Sequence, residues 1–168
     1  MILLTSIALV LLCTGCTARH ATVADALPVG RIARPWTLDG AVWHGSFDAA
    51  APALGDEAQP WRARQPAEVW LANYTHADTP AARLTVRVFA FETVERARTA
   101  FQSCRTPDAP PFEAGDEGCW TPDGVLFRWG RLVFDLFAHQ PDAPPEQTVL
   151  LVGLIEQRMP PGLPETPR

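Results

Sequence analysis

The sequence predicts an α+β domain: an antiparallel sheet with elements in the order strand–strand–helix–strand–strand–helix and both helices on one face. Three observations predict it. Residues 84–91 alternate, with Leu84, Val86, Val88 and Ala90 on one face and Thr85, Arg87, Phe89 and Phe91 on the other; a period of two marks a strand. Behind Thr93, a residue type that caps helix N-termini, Val94, Ala97, Phe101 and Cys104 recur at helical spacing. Two more alternating runs, 125–128 and 131–138, flank Trp129-Gly130 as a hairpin and lead into the apolar stretch 149–155.

The elements follow in order. Short alternating runs surround Trp36-Thr37-Leu38 and Ala41-Val42-Trp43, and Asp39-Gly40 between them is a two-residue hairpin signal. Residues 48–60, Ala- and Pro-containing, are expected to be an irregular loop. Residues 68–74 are rich in Val, Trp and Tyr and alternate, so they read as a strand. His76, Asp78 and Pro80 fall in the turn that follows. In the first helix Glu95 sits where the dipole favours an acid, and Pro107, Pro110 and Pro111 forbid continuation. Residues 106–123 are expected to form a loop. In the last strand Leu132, Phe134 and Leu136 oppose Val133, Asp135 and Phe137. Pro144 and Pro145 sit where a helix start tolerates them. The final helix, 149–155, is apolar nearly all round and is expected to be largely buried, with Gly153 marking a close helix–sheet contact. Pro160 and Pro161 stop it.

Composition bounds the function. The chain has 168 residues, 47% of them hydrophobic, and a net charge of −5 with no lysine. That balance argues against electrostatic binding to nucleic acid or to an anionic lipid surface. The division expected is a signal peptide over 1–15, a tether over 16–26, one domain over 27–160 and a frayed tail over 161–168.

Residues 2–13 are apolar except for Thr5 and Ser6. As a helix they reach about 18 Å, short of the roughly 30 Å hydrocarbon core, which fits a signal peptide rather than a span. Leu12-Cys13-Thr14-Gly15-Cys16 resembles the lipobox of bacterial lipoproteins. The resemblance implies that Cys16 is lipidated, becomes the N-terminus and holds the chain on a membrane of the cell envelope. A thiolate suits that role, being the strongest side-chain nucleophile. Thr17 is not acidic, which by the same resemblance implies the outer membrane, facing the periplasm. An ordinary cleaved signal and an uncleaved anchor stand as the alternatives. Residues 84–159 are similar, in patterning, to an uncharacterised bacterial α+β domain family: a strand ending in an aromatic, Ala97 and Phe101 on a helix, Gly115-Asp116, a hairpin around Gly130 and a final apolar helix. That family implies no reaction and no catalytic residues.

With Cys13 lost and Cys16 lipidated, Cys104 and Cys119 remain as a pair for an oxidising compartment. A bridge between them would close a loop of about 15 residues, for which chain entropy gives about 3 kcal/mol. Two free thiols or a redox pair are the other readings.

The search for chemistry yields little. His20, His44, His76 and His139 lack metal-ligand spacing, and no metal or cofactor is expected. His44 with Asp39 or Asp48, or His76 with Asp78, compete with plain solvated turns. Glu113, Asp116 and Glu117 form an acidic turn without the spacing of a calcium hand. Trp36, Trp43 and Trp61 read either as core packing or as a ligand platform. The function expected is a non-catalytic envelope lipoprotein that binds another envelope protein or serves as an accessory subunit. The alternatives are a small-ligand carrier or sensor using the tryptophans, and a hydrolase with a site assembled only by the fold.

Overall fold

The computed structural model describes residues 22–139 and 145–159. The residues expected to form the signal peptide, Cys16, most of the expected tether and the expected tail lie outside the described residues. The chain forms α1 (Val23–Ala26), a 3-10 turn (Gly30–Ala33), β1 (Trp36–Leu38), β2 (Trp43–Ser46) and α2 (Phe47–Leu54). A second 3-10 turn (Gly55–Glu57), α3 (Ala58–Arg62), β3 (Glu68–His76), β4 (Arg83–Ala90) and α4 (Val94–Cys104) follow. Then come β5 (Glu117–Thr121), β6 (Gly124–Trp129), β7 (Leu132–Ala138) and α5 (Pro145–Glu156). All seven strands join one sheet in the order β1-β3-β4-β7-β6-β5, with β2 also on β3. Every pairing is antiparallel, so the expected α+β class with an antiparallel sheet holds.

The centre of the sheet follows the sequence closely. The β3–β4 register runs from Glu68↔Ala90 to Thr75↔Arg83, and β4–β7 from Leu84↔Ala138 to Ala90↔Leu132. Thr93 caps α4, its hydroxyl accepting from the Arg96 amide at 3.2 Å. Ala97, Ala100 and Phe101 are the buried face of that helix. Gly130 turns β6 into β7 at φ 57, a left-handed conformation that glycine adopts without steric cost.

Several expectations are corrected. First, the helices do not share a face. Leu84, Val86, Val88 and Ala90 of β4 pack in one cluster with Val23, Ala26 and Leu27 of the α1 segment and Leu151, Val152 and Ile155 of α5. Phe89 and Phe91 pack in a second cluster with Ala97, Ala100 and Phe101 of α4, Phe47, Ala50 and Leu54 of α2 and Trp61 of α3. The physical reason is visible in β4, which is buried on both sides from Leu84 onward. A strand that is apolar on both faces needs cover on both, so the domain has three layers.

Second, Asp39-Gly40 does not make a hairpin. β1 and β2 both pair with β3, Leu38 opposite Tyr74 and Trp43 opposite Leu71. Residues 39–42 therefore stand opposite residues 72 and 73, an excursion in one interrupted edge strand. Gly40, at φ 79, turns it, and the Asp39 amide stays bonded to the Asn73 carbonyl at 2.8 Å. The nine-residue β3 offers both short strands a longer template than they offer each other.

Third, residues 48–60 are largely helical. Ser46 caps α2 by accepting from the Ala49 amide, and Phe47, Ala50 and Leu54 make its buried stripe. Pro52 stands inside α2, which Gly55 closes three residues later. Fourth, the loop 106–123 contains β5. Thr121-Pro122-Asp123-Gly124 is the turn between β5 and β6, with Thr121 opposite Gly124. The strand–strand–helix repeat is thus interrupted by β5 and preceded by the short N-terminal helices. In α5, Leu151, Val152 and Ile155 are buried, but Val149 and Leu150 are 41% and 44% exposed, so the helix is one-sided rather than largely buried. A methyl group placed on Gly153 would meet nothing within 4 Å, so this glycine marks no close contact.

Candidate functional site

The α4-facing side of the sheet divides into an apolar half and a polar half. The apolar half is built where Trp61 stacks on Phe89, with centroids 3.7 Å apart. The polar half begins two residues back along β4, where the same alternation brings Arg87 and Thr85 to this face. β7 places Asp135 directly opposite Arg87. Arg87 donates through Nε and Nη2 to Asp135 Oδ2 at 3.0 and 2.5 Å, and through Nη1 to Glu57 Oε2. Its guanidinium lies 4.2 Å from the centroid of the Phe137 ring. Arg87 and Asp135 are 7% and 8% exposed. Burial pushes the Asp135 carboxyl up from its ordinary range, and the Arg87 charge pulls it back.

Beside this pair, Thr85 Oγ1 donates to Asn73 Oδ1 at 2.7 Å and lies 2.8 Å from His139 Nε2. A hydroxyl has one proton. With that proton given to Asn73, the Thr85 oxygen is left to accept from His139 Nε2. Asn73 and His139 are exposed at the rim. Arg87 spends Nε and Nη2 on Asp135 and Nη1 on Glu57, so the buried centre of this polar half is the Arg87–Asp135 ion pair and its rim presents an amide and an imidazole.

The other expected residues scatter. Trp36, at 1% exposure, packs in the α5-side cluster, edge-on to His76 with centroids 5.1 Å apart. Its Nε1 is buried without a hydrogen-bond partner. Trp61 is buried in the opposite cluster. Trp43, at 39% exposure, lies on the edge strand β2. The three tryptophans therefore form no common platform, because β1 and α3 turn theirs to opposite faces of the sheet. A groove of about 550 Å³ between the end of α3 and α4 is lined by Arg64, Glu95, Arg96 and Ser103, and by none of the three.

His44 stacks on Trp70 at 4.3 Å and lies 3.6 Å from Glu68, not against Asp39 or Asp48. His76 Nδ1 accepts from the Asp78 amide at 3.3 Å. The acidic turn is occupied from within: Arg128, 4% exposed, donates to Asp116 at 2.7 Å and to Glu117 at 2.6 Å. Among the described residues no group of three His, Cys, Asp or Glu is placed to hold a metal ion. Cys104, half-buried, and Cys119, buried, are both free thiols and belong to one apolar cluster. Burial pushes the Cys104 thiol up to about 11 and raises that of Cys119.

The site residues that the sequence reading missed are Arg87 with Asp135, and Thr85 with Asn73 and His139. The signal was present: a charge at the centre of each of two apolar strands, each on the same face as phenylalanines. Cross-strand pairing was the missing information. No protein-family model, no curated protein and no solved structure matches this chain.

Proposed function

We propose that this chain is a lipid-anchored lipoprotein of the bacterial cell envelope, carried on the outer membrane toward the periplasm. Its domain is a non-catalytic module that binds another envelope protein. The single observation that carries the reading is the apolar run of residues 2–13 ending in Thr14-Gly15-Cys16. The Cys16 thiolate takes the lipid, and the acyl chains hold the domain at the bilayer. In that oxidising compartment the Cys104 and Cys119 thiols, free in this structure, would oxidise to a bridge that ties the β5 segment to the end of α4.

The sheet edge supports the binding half of the reading. Among the described residues no strand pairs with the outer side of β2, which leaves ladder groups for a partner. Trp43 on that strand is a large exposed aromatic of the kind that anchors protein interfaces. His44, stacked on Trp70, and Glu68 beside it add polar groups next to that anchor. The scattering of the tryptophans is why a carrier of small molecules is the weaker reading. The test is paired. Labelled palmitate should enter the wild-type chain and not the Cys16→Ser variant. A tagged full-length chain should recover one stoichiometric protein from native membranes, and Trp43→Ala should lose it. Palmitate that persists in Cys16→Ser rejects the anchor, and recovery unchanged by Trp43→Ala rejects the edge.

A further inference from the structure

We infer that the outer face of α5 is a membrane-contact surface, seated on the same bilayer that holds the lipid at Cys16. The inference rests on the lipoprotein reading. Val149 and Leu150 are 41% and 44% exposed on consecutive positions of α5. Gly153 and Leu154 continue that face one turn on and are half-buried, and the exposed Glu146 bounds it one turn back. The buried stripe of Leu151, Val152 and Ile155 looks the other way, into the sheet. Val29, 44% exposed, belongs to the same layer, since α5 contacts the 3-10 turn Gly30–Ala33 that follows it.

The place where the tether meets the domain selects the occupant. α1 opens the described chain on this same layer: Val23, Ala26 and Leu27 share the cluster of α5, and Arg158 Nε donates to the Asp25 carbonyl at 3.2 Å. From Cys16 to Thr22 the chain can span at most about 20 Å. Along α5, from Leu150 to its last residue Glu156, the rise is about 9 Å, and Arg158 follows two residues later. A tether rooted beside Arg158 therefore holds the apolar face within reach of the bilayer, while the opposite layer of α2, α3 and α4 is separated from it by the sheet. Two partly exposed aliphatic side chains are too few to bring a free domain to a membrane. Tethering supplies the effective concentration that turns this weak contact into a preferred orientation. That orientation leaves the β2 edge, at one side of the sheet, open to a partner.

The experiment uses the full-length chain in a Cys104→Ser background, reconstituted in vesicles of phosphatidylethanolamine and phosphatidylglycerol. An environment-sensitive dye is attached at Leu150→Cys or, on the opposite layer, at Arg96→Cys. The expected result is blue-shifted emission at position 150, quenched several-fold more by quencher-bearing lipid than emission at position 96. Leu150→Glu, a change at an exposed position, should leave the melting temperature unchanged while exposing a dye at Val149→Cys to water. If the chain floats with vesicles and carries palmitate but both dyes report water, the docking inference is overturned and the lipoprotein reading stands. If position 150 is shielded equally with and without vesicles, the tail or a second copy covers the face, and docking is again overturned. If the chain neither floats nor carries palmitate, the lipoprotein reading fails and takes the inference with it.

Discussion

Removing Arg87 and removing its partner should destabilise the domain by similar amounts at neutral pH but respond to acid differently. The two side chains are 9% and 12% exposed, so neither charge is well solvated once alone. Breaking a buried pair from one side costs about 3–5 kcal/mol. Glu57, at 56% side-chain exposure, offsets little of that, because exposed pairs contribute about 0–1 kcal/mol. In Asp135→Asn the guanidinium has no route to neutrality, and the variant's own stability should lack the pH dependence that the Asp135 carboxyl contributes. In Arg87→Met the carboxylate can take up a proton. Its pKa is already raised by burial, and loss of Arg87 removes the opposing charge, so it rises further. A folded pKa above the unfolded one gives stability that is fully present below the unfolded value and is lost as pH rises through the folded one. Arg87→Met should therefore be least destabilised near the ordinary carboxylate pKa of about 4 and increasingly destabilised toward neutral pH. Urea unfolding followed by tryptophan fluorescence reads this directly. With a slope of about 2 kcal/mol per molar, the midpoint at neutral pH should fall by about 2 M for either variant. Replacing both, Arg87→Met with Asp135→Leu, should recover most of the loss. Losses under about 1 kcal/mol for both single variants, or a pH-independent Arg87→Met, would refute the buried-pair reasoning.

Other outcomes follow from single contacts. Trp61→Ala should cost about 3–5 kcal/mol in the same unfolding assay, since it removes the ring stacked on Phe89, whereas Trp43→Ala should stay within about 0.5 kcal/mol. Gly124→Ala places a methyl on the backbone carbonyl of Leu136 in the paired strand, and should lower stability by about 1–3 kcal/mol. In the reduced chain Cys104 should react slowly with maleimide at neutral pH and accelerate as pH approaches its value of about 11. Because that value lies above the ordinary 9.0, the thiol's contribution to stability should be lost as pH rises from 9.0 toward about 11. Fast alkylation at pH 7 would contradict the burial of that thiol.

The parts of the fold legible in the sequence are those whose pattern is local. The alternation around Val86, the Thr93 cap and the Gly130 turn each specify their own element within a few residues. Asp39-Gly40 was misleading because turn chemistry states that the chain bends, not which strand the bent segment pairs with; β3 decides that from outside. The Ser46 cap with Phe47, Ala50 and Leu54 is a helical signature that the prolines around it obscured. Pro122-Asp123-Gly124 likewise marked the β5–β6 turn, but Gly118 and Cys119 carry little strand propensity, so β5 rests on its pairing with β6. Helices on both faces were implicit in Phe89 and Phe91, which need cover that the Leu84–Val86–Val88 face cannot share. The Arg87–Asp135 pair was illegible for a different reason. Its residues are 48 apart, and only the β4–β7 register brings them together.

The most direct measurement is the intact mass of the tagged chain recovered from washed bacterial membranes. The account predicts a polypeptide beginning at Cys16 and carrying several acyl chains, with that added mass absent when Cys16 is changed to Ser. A chain of all 168 residues, recovered from the cytosol with Met1 in place and no acyl mass, would contradict it.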